Sequence, residues 1–417
     1  MVRASALYLV LVIALVISVF SVSLISVAFY YREEYLKSRR YDLLLLNQRS
    51  GIAVILSPNY LNAEECEQRM DLFGRHLDSI SIKKESWGIF SVAIIKSFII
   101  NDSLKKAFFI GKDSAKDKTA LYLADEDRPL LLSGDSRIIG NALLPKAGVK
   151  KAFVDGRGFS GDKLISGTIN NSGRELPLVG AEVVKYLESC FSLLGSDTIR
   201  QQQLLKDYIS NSFFQKTCFF KLKETSATIS HTRLSGKIII LCDTTITIDS
   251  DSQLKDVVIF ARSIVVKKGF KGACQLFARD SIITGENTSF EYPSVLGIIS
   301  GNKNLKTQPK IVVGDHTRFC GVIFCYEKNK SALQSLVSLG KQSSITGDVF
   351  GELIKFEKNV SVFGKIQCNR FIMQTSSTLF ENYLIDIKID LSKRGPYYLN
   401  SPFLNKDGPN KILKWLE

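Results

Sequence analysis

Histidine is nearly missing from this chain of 417 residues, which has only His76, His231 and His316. His76 has no partner at metal or catalytic spacing, and His231 and His316 lack a supporting motif, so imidazole catalysis and His-ligated metal centres have little basis in the sequence. The eight cysteines, at 66, 190, 218, 242, 274, 320, 325 and 368, include no CxxC pair and no metal-ligand rhythm. A Gly-rich phosphate loop, GxSxG and HExxH are also absent, which removes the usual signatures of nucleotide binding, serine hydrolysis and zinc proteolysis. No basic run with interleaved aromatics occurs, so there is no specific nucleic-acid motif. These gaps predict a protein that is not an enzyme, with no catalytic, cofactor-binding or metal residues and no cofactor.

Charge is missing from one stretch altogether. Ala4 to Tyr31 is 28 residues without a charged residue, more than the ~20 that cross a bilayer as helix. A cleaved signal peptide would have a shorter apolar core, so the stretch reads as a retained single-pass anchor. Arg32 to Ser57 has no proline and one glycine, Gly51. Glu33 and Lys37 form a supportive helical pair, and Leu43 to Leu46, Ile52, Ala53, Ile55 and Leu56 offer an apolar face. Pro58 ends the run. One continuous helix of about 54 residues is expected, roughly 80 Å long at the standard rise.

What is present in quantity is a repeat. From an apolar anchor, residues 8, 10 and 12 positions on fall in one frame: Ile264 with Gly272, Cys274 and Leu276, or Ile354 with Val362, Gly364 and Ile366. Ile246, Ile282, Ile311 and Val337 begin the other units, and the anchors are spaced 18, 18, 29, 26 and 17 residues. Such a period fits a parallel β-solenoid, with alternating residues turned inward and loops inserted at corners at Asn302 to Pro309 and Tyr326 to Gln334. Gly321, Gly347 and Gly364 suit tight corners. Asp256 and Ser294 break the apolar rule in the Ile246 and Ile282 units. Cys242 and Cys274 read as small buried hydrophobes, and Cys320 with Cys325 could bridge in an oxidising compartment.

The expected fold is therefore mainly β: a parallel β-solenoid with an N-terminal transmembrane helix and a helical insertion. Residues 1–57 form the anchor and its continuing helix. Residues 58–118 form a mixed α/β region, with a helix over Asn62 to His76 and strands at Trp87 to Ile95, Ser97 to Ile100 and Ala107 to Ile110. Residues 119–180 carry first solenoid coils, with Leu130 leading to Ile138, Gly140 and Ala142. Residues 181–217 form the helical insertion, its second helix over Thr198 to Phe214. The main solenoid spans 218–370. Residues 371–417 form a C-terminal cap, with a strand over Leu384 to Leu391 and a short helix over Asn410 to Glu417.

A formal net charge of +14 favours either anionic partners or a solvated basic surface. An acidic polymer is one partner class this allows, beside the membrane and envelope proteins. Solenoids can carry glycan-active enzymes, whose hydrolases need paired carboxylates. The candidates are Asp249, Asp251 and Asp256, or Asp315 beside His316. Asp249 and Asp251 read as turn residues and Asp315-His316 as a corner.

The run from Arg3 to Ile13, with the continuation to Gln48-Arg49-Ser50-Gly51-Ile52-Ala53, resembles the N-terminus of minor pilins and pseudopilins over about 57 residues. A Gly-Phe processing site with a following Glu is absent. The resemblance implies a structural or assembly component of a surface or secretion apparatus. It would sit in the inner membrane as a single-pass protein with an extracytoplasmic body. Residues 311–324 and 337–350, within about 130 repeating residues, resemble bactofilins, which implies a membrane-bound cytoskeletal scaffold. The basic flank Arg32, Lys37, Arg39 and Arg40, against Arg3 alone before the span, puts the body in the cytoplasm by the positive-inside rule.

Overall fold

The uncharged run and its continuation form one helix, α1 (Val2–Leu56, 55 residues), in agreement with the expected length. The computed structural model describes residues 2–58, 60, 66–74, 78–154, 156–195, 207–222, 226–301, 307–374, 378–405 and 407–416. The chain divides into two compact units, residues 1–84 with 93–106, and residues 85–92 with 107–417.

In the first unit, the part of α1 from Leu7 to Tyr31 is exposed throughout. Its distal part buries Leu44, Asn47, Gln48, Gly51 and Ile55, a stripe at helical spacing. This stripe differs from the apolar face read from sequence, since Leu46 and Ala53 are exposed. A glycine is required at 51, because a Cβ there would collide with Ile80 Cδ1. Asn47 donates to the Asp78 carboxylate at 2.5 Å, and Arg40 pairs with Asp102 at 2.8 Å. Gln68–Met70 is a strand antiparallel to residues 80–82, so the helix expected over Asn62 to His76 is not formed there; His76 itself and residues 61–65 lie outside the described residues. Strands Asp78–Trp87 and Phe90–Ile99 are joined by a turn at Gly88-Ile89. The strand expected over Trp87 to Ile95 is thus broken by Gly88, whose φ is +61°.

The second unit is built on a large closed sheet, parallel among the described residues except for one short hairpin at Ile372–Gln374 with Leu379–Glu381. Its strands pair in three series. The first contains Arg233–Ser235, Gln253–Lys255, Lys271–Gly272, Ser289–Phe290, Arg318–Cys320, Ser344–Thr346 and Ser361–Phe363. The second contains Ile239–Cys242, Val258–Ala261, Gln275–Ala278, Val295–Ile298, Val322–Cys325, Asp348–Gly351 and Lys365–Cys368. The third stacks Ile246, Ile264, Ile282, Ile311, Val337, Ile354 and Phe371. Residues 302–306 of the first expected corner loop lie outside the described residues.

Inward residues of all three series make one apolar core that includes Cys242 and Cys274, as expected of small buried hydrophobes. Phe270, Phe290 and Phe319 follow one another within it, with ring centroids 5.4 and 5.5 Å apart. Fully burying each such side chain is worth about 1.5–3 kcal/mol. The expected frame holds for the Ile264, Ile311, Val337 and Ile354 units. It slips at the two units where Asp256 and Ser294 break the apolar rule. Asp256 takes a left-handed φ of +63°, the register shifts between Lys255 and Val257, and Val257 and Ile259 turn inward in place of Val258. Two extra residues lie between Phe290 and Ser294, and Leu296 and Ile298 then turn inward.

The order of the levels departs most from the sequence. Thr119–Leu123 does not precede the main stack but follows its far end, with Leu121 beside Ile366. Lys388–Asp390 joins at the same level, between Ser361 and Arg137. Residues 130–144 stack next, then 149–151 with 165–171. The start of the main stack is instead flanked by Tyr208–Asn211, Cys218–Leu222 and Ser226–Ile229.

Packing overrides local preference at three further places. Helix α2 (Ala181–Ser192) is present, but Tyr208–Asn211 is a strand where a second helix was expected; residues 196–206 lie outside the described residues. Asn410–Leu416 is a strand antiparallel to residues 107–112, not a helix, and its Trp415 meets Phe108 edge-on at 5.3 Å. Leu384 to Leu391 is split by a corner at Asp386, φ +57°. A tertiary partner decides each case.

Gly321, Gly347 and Gly364 line one corner. A Cβ on Gly347, at a φ of +136°, would collide with the Gly321 carbonyl oxygen. Gly347→Ala is expected to cost at least about 2 kcal/mol in urea unfolding, whereas Gly395→Ala, which meets nothing within 4 Å, leaves stability nearly unchanged.

Candidate functional site

The carboxylates singled out in the sequence do not converge. Asp251 accepts from the His231 backbone N–H at 3.0 Å and faces its Nδ1 at 2.7 Å. Asp249 lies in the same turn, its N–H donating to the Ile229 carbonyl. Asp256 is held by Lys414 at 2.7 and 2.8 Å, and its carbonyl accepts from Trp87 Nε1. Asp315 accepts from the Lys341 backbone N–H at 2.7 Å, and His316 occupies a left-handed corner at φ +57°. These positions serve turns and corners, where short polar side chains tolerate such backbone. Among the described residues no group of three or more His, Cys, Asp or Glu is placed to hold a metal ion. None of the eight cysteines is in a disulfide, Cys320 and Cys325 included. Burial raises the thiols of Cys274, Cys325 and Cys368, which keeps them neutral within the core.

A groove of about 610 Å³ lies beside α2. Val184, Leu187, Cys190 and Phe191 are the buried side of this helix, and Phe191 packs on Phe260 with centroids 5.2 Å apart. Arg279 stacks over Phe191 at 4.1 Å and donates to the Ile299 carbonyl. Burial lowers its guanidinium from the ordinary value, against the pull of Glu188 and Asp280. Arg262 pairs with Asp280 at 2.8 Å and Lys328 with Glu188 at 3.1 Å. With Asp243 also lining it, the groove carries acids and bases in balance and selects no net charge.

The outer side of the second strand series is covered as well. Phe260, Phe277 and Phe324 are buried there, and Phe403 packs on Phe324 at 4.2 Å. Gln275 donates to the Trp87 carbonyl and accepts from the Ile89 N–H, both at 3.0 Å. This double-sided burial explains the near-continuous apolar runs such as Val257 to Phe260. Beside it, Arg394 is held by Asp348 at 3.3 Å and Ser114 at 3.1 Å. Burial pushes the Asp348 carboxyl above its ordinary range, and Arg394 draws it part of the way back. No sequence signal marked Asp348 or Arg394, since their pairing spans 46 positions and depends on the tail folding back.

Arg394→Met would leave Asp348 buried without its cation. It is expected to cost about 3–5 kcal/mol in denaturant unfolding, with much of that recovered in the double variant Arg394→Met/Asp348→Asn.

No protein-family model matches the chain, and no curated protein matches it in sequence. Among solved structures a similarity is found to the competence-associated pilin ComZ from Thermus thermophilus. It has 9% identity and a TM-score of 0.22, covering 92% of this chain and 96% of that chain. A score this low supports no statement about the present fold or function.

Proposed function

We propose that the chain is a membrane-anchored structural or assembly protein, a minor pseudopilin-like component of a surface or secretion apparatus. Its stack of parallel strands acts in this reading as a β-solenoid scaffold that holds partners and performs no catalysis. The observation that carries the reading is α1. Its first half exposes an unbroken apolar surface from Leu7 to Tyr31, and its second half buries a stripe from Leu44 to Ile55. One helix thus offers a bilayer-length surface at one end and a packed surface at the other. The N-terminal resemblance to minor pilins adds an extracytoplasmic body and an inner-membrane location.

The cytoplasmic, bactofilin-like scaffold is the second reading. It is favoured by the cluster Arg32, Lys37, Arg39 and Arg40 on the body side of the span. The glycan-active alternative lacks convergent carboxylates among its candidates.

The full chain should remain with membranes after an alkaline carbonate wash; its release into the soluble fraction would overturn the anchor. Cys66 is the exposed cysteine, so it reports orientation. An impermeant maleimide should label Cys66 in intact spheroplasts, and labelling only after lysis would place the body in the cytoplasm.

A further inference from the structure

The first strand series brings basic residues into one line. Arg233 pairs with Gln253. Gln253 falls beside Lys271 by the register that sets Lys255 opposite Ala273. Lys271 pairs with Ser289, Ser289 with Arg318, Arg318 with Ser344, Ser344 with Ser361, Ser361 with Lys388 and Lys388 with Arg137. The line therefore reads Arg, Gln, Lys, Ser, Arg, Ser, Ser, Lys, Arg, with no acid in it. Arg233, Gln253, Lys271, Arg318, Lys388 and Arg137 are exposed. At the usual strand spacing it runs about 38 Å, with Arg233, Lys271 and Arg318 roughly 9.6 Å apart.

Nearby acids are mostly engaged elsewhere. Asp251 faces His231, Glu286 pairs with Lys268, and Asp315 accepts from the Lys341 backbone. Asp135 is shared by Arg137 and Lys388. Glu291 stands further along the strand that carries Ser289. Among the described residues, Arg233, Lys271 and Arg318 have no carboxylate within salt-bridge distance.

We propose that this line is a docking surface for a linear acidic polysaccharide. Cations on alternate levels, separated by the amide of Gln253 and the hydroxyl of Ser289, match a polymer that presents carboxylates between hydroxyl-bearing units. A single-stranded nucleic acid would instead call for aromatic platforms along the track; between Arg233 and Arg137 the line has none, and Tyr208 stands beside Arg233 at its end only. The surface rests on the scaffold reading and deepens it by giving the class of thing held. A binding assay in vitro tests it separately from anchoring and orientation.

The experiment uses the full chain in detergent with polygalacturonate, neutral dextran and oligo-dT as probes, over a series of salt concentrations. Polygalacturonate should bind more tightly than either of the others, and the binding should weaken as salt rises. Lys271→Gln/Arg318→Gln should reduce affinity at least about fivefold. Lys310→Gln/Lys150→Gln removes the same charge from exposed positions outside the line and should change affinity less than about twofold. The proposal is overturned if dextran binds equally well, if both double variants lose the same affinity, or if oligo-dT binds as tightly through Lys271 and Arg318.

Discussion

A parallel strand satisfies its backbone only when a neighbour lies on each side, and that requirement governs the second unit. The closed sheet meets it by passing hydrogen bonds from level to level, while one continuous apolar core fills the interior. Among the described residues, the levels at the two ends have a neighbour on one side only. Short strands and charged residues there, as at Val149–Lys151, oppose further pairing. At the corners, backbone packs so closely that Gly321 and Gly347 have no room for a side chain.

The second demand is on the outer side of the middle series. Phe260, Phe277 and Phe324 would leave a large apolar surface if uncovered. Helix α2 contributes Phe191 and the C-terminal tail contributes Phe403 to close it. Helix and tail are therefore parts of the core rather than appendages to it. The Arg394 and Asp348 pair then fixes the tail at a polar point within an otherwise apolar cover.

Much of this was legible in the sequence because it is periodic. The absence of charge from Ala4 to Tyr31 and of proline up to Ser57 marked the extent of α1. The regular units at Ile264, Ile311, Val337 and Ile354 pointed to the correct inward residues, since alternation alone sets which side a strand buries. Asp256 and Ser294 were visible as irregularities, but the slips there, of one residue and of two, need backbone geometry that composition does not encode. The strand at Asn410–Leu416 was illegible for another reason: its partner, residues 107–112, is about 300 positions away. Asp249, Asp251 and Asp315 stand at turns and corners, as their neighbours in the sequence suggested, while the basic line emerges only when the register brings distant strands together.

The joining of Thr119–Leu123 and Lys388–Asp390 at one level has a consequence for synthesis. A ribosome delivers the first segment long before the second, and the strand that must lie beneath both, Ser361–Gln374, comes late as well. The levels from 130 to 171 therefore have nothing to stack upon until nearly the whole chain has emerged. Contacts so distant in sequence slow folding and lengthen the time that apolar edges remain open. A chaperone that shields these early segments during translation would serve this topology better than one acting after release.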